Sequence, residues 1–220
     1  MRTLHLRRRT VILLACILAA ALVLIGIGIY GLLRGAPDAS RTPAHAASAA
    51  PLVTPTAPAT TPPVIRQDNP VVYARQVAAD IFTWSTTGSV TRTGYLNALM
   101  RQADPDSPDL DGLYDDLNAY LPTAAQWQQL AAYSTRQSLT IWTAAIPKKA
   151  WDQALAEGGS TIPAGTSAVT IDGTRHRSGV WLGKPTRTSD EVSFTVFVTC
   201  QPTYSSCKLV RLSALGTPLR

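Results

Sequence analysis

The chain has 220 residues, 45% of them apolar, and a formal net charge of +6. The charge is uneven: residues 1–65 carry six arginines against one aspartate, whereas residues 66–220 carry 14 Lys and Arg against 13 Asp and Glu. The second part is therefore nearly neutral. That argues against a nucleic-acid-binding surface, and no direct sequence-specific contact with nucleic acid is expected.

Residues 1–10 form a short tail, in which Arg7, Arg8 and Arg9 stand directly before an apolar run at 11–33. As a helix this run reaches ~34 Å, enough to cross a bilayer core of about 30 Å with some tilt. It is longer than the apolar region of a cleavable signal peptide. Arginine is denser before the run than after it, so the tail is expected in the cytoplasm and everything after Arg34 outside. A single-pass protein with an extracytoplasmic C-terminal domain follows. Residues 34–65 read as a linker. Seven prolines and nine alanines crowd positions 36–65, with no apolar period that would bury a core. Residues 66–220 then form one domain, long enough for a single core.

Within that domain, Asn69-Pro70 caps and opens a helix whose apolar face is Tyr73, Val77, Ile81 and Trp84. A second helix runs from about Thr93 to the stop at Asp104-Pro105. A third carries Leu113, Leu117, Tyr120 and Leu121, with Asp109 as its expected cap and Pro122 as its stop. Thr123 and Gln126 have capping-box spacing before a short helix with Trp127 and Leu130. The period then changes. Ser134–Ile146 is rich in strand formers, and Trp151 and Leu155 mark a short helix ending at Gly158-Gly159. Val169 and Ile171 begin a strand that Val180–Leu182 continues or re-forms, Asp172-Gly173 being either a turn or a bulge. Val192, Phe194, Val196, Val198 and Cys200 alternate with Ser193, Thr195, Phe197 and Thr199 as a half-buried strand does. Lys208–Leu215 is the last strand. Helices followed by antiparallel strands define an α+β domain with helices packed on one face of the sheet.

Few residues suggest chemistry. Cys200 and Cys207 flank a short loop between two expected strands, and outside the cytoplasm they pair as a disulfide. His176 is the domain's single histidine; it lies between Arg175 and Arg177, and no G-x-S-x-G surrounds any serine. The stretch Asp104–Gly112 resembles a calcium loop. Aligning Gly112 as the loop glycine puts Ser107 at the first ligand position and Asn118 at the last, where a bidentate Glu is required. Helix capping and a solvated loop explain the stretch better. Asp190-Glu191 point to opposite faces of a strand, which is poor geometry for paired acid–base work. No catalytic residue, cofactor or metal site is expected.

The tail, membrane helix and linker precede a first domain helix containing Ala78-Ala79-Asp80-Ile81-Phe82-Thr83-Trp84, and the chain closes with strands Phe194–Cys200 and Cys207–Leu215. In this order of elements the chain resembles the VirB8/TcpC-type membrane proteins of conjugative type IV secretion systems. The resemblance implies an NTF2-like external domain with helices on a curved antiparallel sheet. It also implies a structural, non-catalytic role, contact with other envelope and secretion-system subunits, and a homo-oligomer. Mce-associated membrane proteins of lipid import share the layout, and for them the same domain is a binding module. An NTF2-like cone often holds an apolar pocket; Trp142, Trp181 and Phe197 are the candidates to line it.

Overall fold

The computed structural model describes residues 61–158 and 161–220. The expected membrane helix 11–33, the Arg7, Arg8 and Arg9 signal, and the linker up to residue 60 lie outside the described residues. Among the described residues no helix is long and apolar enough to cross a membrane. The elements run α1 (Pro70–Phe82), β1 (Trp84–Ser85), α2 (Arg92–Met100), α3 (Leu110–Tyr120), α4 (Ala124–Ala132), β2 (Arg136–Ala145), α5 (Lys148–Gly158), β3 (Thr166–Trp181), β4 (Lys184–Thr199) and β5 (Lys208–Leu212). The strands form one curved antiparallel half-barrel sheet in sequential order, β1-β2-β3-β4-β5.

The helix starts follow from local chemistry. Asn69 Oδ1 accepts from the N–H groups of Val71 and Val72 at 3.0 and 3.1 Å, and Pro70 occupies the first turn, where its missing N–H costs nothing. Thr123 and Gln126 close the full capping box, at 3.2 and 2.9 Å. Asp109 does not cap α3. Its ψ is 1°, a turn conformation rather than the extended one a capping side chain needs, and its own N–H is bound by Ser107 Oγ at 3.2 Å.

The core lies between the inner face of the sheet and helices α1 and α3. Tyr73, Val77 and Ile81 of α1 and Leu113 and Leu117 of α3 are buried against Val169, Ile171, Phe194 and Val196. Phe82, Tyr120 and Phe194 form an aromatic cluster, with centroids 5.3–5.9 Å apart. On the outer face α5 covers one end, placing Trp151 6.1 Å from Phe197. The end of the expected linker is held by the domain: Gln102 donates to the Pro63 carbonyl at 2.7 Å and accepts from Ile65 N–H at 3.0 Å.

The strands settle the open reading at Asp172-Gly173 and differ from expectation in their bounds, β4 beginning at Lys184 and not at Val192. β3 is one continuous strand through Asp172-Gly173. The irregularity is across the ladder on β2, where the register shifts between Ile141 and Thr143 and leaves Trp142 as the extra residue. Gly173 marks that close approach, since a Cβ there would lie 2.5 Å from the Thr140 carbonyl oxygen. The hairpin turn is Leu182-Gly183, both with positive φ (49° and 74°), so Leu182 belongs to the turn and not the strand. β5 stops at Leu212, and the segment after it crosses to the outer face. There the Leu219 N–H donates to Thr195 Oγ1 at 2.8 Å, and Arg220 pairs with Asp172 at 2.9 Å.

Candidate binding groove

The β3–β4 hairpin runs well past the helices, so part of the sheet's inner face has no helix over it. Side chains alternate in β-strands. The face that buries Val169 and Ile171 therefore continues with Gly173, Arg175, Arg177, Gly179 and Trp181. On β4 their partners are Val192, Asp190, Thr188, Thr186 and Lys184. The end of α4 and the turn after it form the opposite wall with Leu130 and Tyr133. Ser134 adopts a left-handed φ of 49° and turns the chain into β2.

The result is a groove made of two adjoining hollows of about 190 and 370 Å³, which share Leu130, Tyr133 and Arg177. The Tyr133 and Trp181 rings pack at 4.8 Å across its mouth. Tyr133 O accepts from Val180 N–H at 2.8 Å, and Gly179 permits that approach, since a Cβ there would sit 2.8 Å from the same oxygen. Arg177 is the central cation. Its Nε donates to Gln137 Oε1 at 2.7 Å, and its guanidinium lies 5.8 Å from the centroid of the Trp84 ring. Burial, then the neighbouring Arg175, push its pKa down, while Asp190 opposes them. Arg175 is paired with Asp190 at 2.7 Å, whereas among the described residues Arg177 pairs with no carboxylate. Trp84 Nε1 beneath it is buried without a hydrogen-bond partner. The groove thus offers aromatic and aliphatic walls and a partly desolvated guanidinium.

The three expected pocket residues are not brought together. Trp181 lies in the groove. Phe197 is on the outer face, because it is one residue out of phase with Phe194 and Val196. Trp142 projects from the bulge and is 52% exposed. Cys200 and Cys207 are joined as a disulfide. His176 lies on the outer face; its ring nitrogens are hydrogen-bonded to Thr140 and Ser189 hydroxyls at 3.1 and 2.9 Å, and no carboxylate bonds the ring. Asp104 receives the Tyr204 hydroxyl and the Asp106 N–H, which hold its carboxyl below the usual range and tie the acidic loop to the disulfide loop. Among the described residues no group of three or more His, Cys, Asp or Glu could hold a metal ion. Gly112 has a packing role: a Cβ there would meet the Arg211 guanidinium at 2.6 Å.

Tyr133 and the buried Trp84 N–H went unrecognised in the sequence, where Arg177 stands only as a flank of His176. The Arg175–Arg177 run is visible there, but only the strand phase shows that His176 points away from its two neighbours.

No protein-family model matches the chain, and no curated protein matches it significantly. Among solved structures, a periplasmic fragment of TraM is similar over 64% of this chain and 90% of that fragment, with 10% sequence identity and a TM-score of 0.40. Similarity at that score carries no argument about function.

Proposed function

We propose that this chain is a non-catalytic assembly subunit of a cell-envelope transfer apparatus, a VirB8/TcpC-like component of a conjugative type IV secretion system. On this reading residues 11–33 anchor it in the membrane, and an NTF2-like domain outside the cytoplasm contacts other envelope subunits and further copies of itself. The observation that carries the reading is the hairpin end. Val180, Trp181 and Leu182 are 43, 53 and 86% exposed at the lip of the groove. Contiguous apolar side chains at a projecting tip, rimmed by Lys184 and Arg187, suit a protein contact better than a catalytic centre. Cross-linking in intact cells followed by purification from solubilised membranes tests it. The expected result is capture of other envelope components and loss of DNA transfer on deletion. Capture of none, with transfer intact, overturns it.

The groove itself favours a second reading, a membrane-anchored binding module such as an Mce-associated accessory of lipid import. Leu130, Tyr133 and Trp181 beside Arg177 suit an amphiphile with an anionic head. Native mass spectrometry of the purified chain tests this, a bound lipid being the expected result and an empty groove the contrary one.

A further inference from the structure

The outer edge of β4 is unpaired over its distal half, and its chemistry is self-complementary. β5 pairs with β4 only from Val196 to Thr199. Beyond that, Thr195 N–H donates to Ser213 Oγ at 2.9 Å, Ser213 N–H to the Thr195 carbonyl at 2.9 Å, and Gly216 N–H to the Ser193 carbonyl at 2.8 Å. The outward-facing backbone groups of β4 are thus those of Thr195, Ser193 and every second residue before them, because its register with β3 is unbroken. The next are Glu191, Ser189 and Arg187, followed by Pro185, which has no N–H. Among the described residues nothing bonds the backbone groups of those three, and residues 184–191 are all exposed. The free edge has defined ends: the missing donor of Pro185 on one side, the occupied Ser193 carbonyl on the other.

We infer that two copies of this chain associate by antiparallel pairing of these β4 edges, about a two-fold axis at Ser189. Such an axis carries Arg187 of each strand to Glu191 of the other. The two residues share the outer face, lie on either side of the axis, have opposite charge, and form no salt bridge among the described residues. An edge bearing one sign of charge repels its copy; this one attracts it. Arg187, Ser189 and Glu191 each present one N–H and one C=O, so the donors and acceptors of the two edges match. The contact is isologous, each copy using the same edge once, so it closes as a pair and does not extend into an open ribbon.

This inference gives an interface to the homo-oligomer in the function proposed above, and it is independent of what the apparatus transfers. It is tested on the full chain in its membrane, in a Cys16→Ser background, with Ser189→Cys and a mild oxidant. This substitution should yield covalent dimer several-fold above Lys149→Cys, an exposed control on α5. Adding Arg187→Glu should lower that yield at least fivefold, and adding Glu191→Arg as well should restore it. Resistance of the domain to limited proteolysis checks folding. If Arg187→Glu abolishes it, Glu191→Pro in the Ser189→Cys chain replaces it, since it removes an outward donor and no internal one. Yields equal to the control, or unchanged by the edge substitutions, overturn the inference. The readout involves no transfer or uptake phenotype, so failure here leaves the broader reading standing, and its failure leaves the dimer standing.

Discussion

Arg211 of β5 donates to both carboxylate oxygens of Asp116 on α3, through Nε at 2.7 Å and Nη2 at 3.1 Å. Asp116 also accepts from the Leu212 N–H at 2.9 Å. One carboxylate thereby joins a helix to an edge strand. Its partner is drawn over the bare backbone of Gly112, and the contact raises the Arg211 pKa through the hydrogen bonds of Asp116. Asp116→Ala removes an ion pair and leaves a strand N–H without an acceptor, so it should cost about 1–3 kcal/mol in urea unfolding of the purified chain. Arg211→Ala should cost less, because the Arg211 side chain is 43% exposed whereas that of Asp116 is 16% exposed. Equal costs would contradict this account.

Asp80 titrates abnormally. Burial raises its pKa from 3.8 to about 6. The folded chain therefore holds this proton more tightly than the unfolded chain does. The stabilisation is fully present below about pH 3.8, declines as pH rises to about 6, and is absent above. Asp80→Asn should remove this decline and raise stability at pH 7.5 by on the order of 1 kcal/mol, allowing for the solvent that still reaches the group. Unfolding midpoints of both proteins between pH 4 and 7.5 check it; identical slopes would refute it.

The Cys200–Cys207 disulfide closes a short loop, from which the chain-entropy model gives about 2–2.5 kcal/mol. Replacing both cysteines with alanine should lower stability by at least that amount, because both are buried in the core as well as joined to each other. A reductant titration followed by thermal melting should show a shift in the unaltered chain and none in the double variant.

Leu182 has φ of 49° and 86% of its surface exposed. A branched apolar residue is poorly suited to the first position of this two-residue turn, where asparagine fits. Leu182→Asn should stabilise the chain by about 0.5–1 kcal/mol and reduce its cross-linking to envelope partners. A gain in stability with undiminished cross-linking would remove the tip from the proposed contact.

Gly173→Ala should be among the most damaging small substitutions. The added carbon would meet the backbone oxygen of Thr140, which has no rotamer with which to move aside. A loss of roughly 2–4 kcal/mol is expected, with weakened pairing of β2 and β3 seen by hydrogen exchange. A loss below 1 kcal/mol would show that the bulge at Trp142 yields easily.

Local chemistry was sufficient for much of the domain. Asn69-Pro70 and the Thr123–Gln126 box start their helices from side-chain groups within three residues. The alternation from Val192 to Cys200 already separates Phe197 from the core-facing Phe194 and Val196. The helix-then-strand order and the spacing of Cys200 and Cys207 required no knowledge of distant contacts. Tertiary structure decided the rest. Asp109 has the composition of a cap, but its backbone angle is set by the turn before it. Residues 174–191 carry little apolar periodicity, because one face of that hairpin opens on the groove and the other on solvent. Only the pairing of β3 with β2 and with β4 shows that this polar stretch is strand on both sides of the Leu182-Gly183 turn. The phase that sends Arg177 and Trp181 inward and His176 outward depends on the 181–184 closing pair. A one-residue slip would reverse every one of them, and that register is a property of two strands meeting, not of either segment read alone.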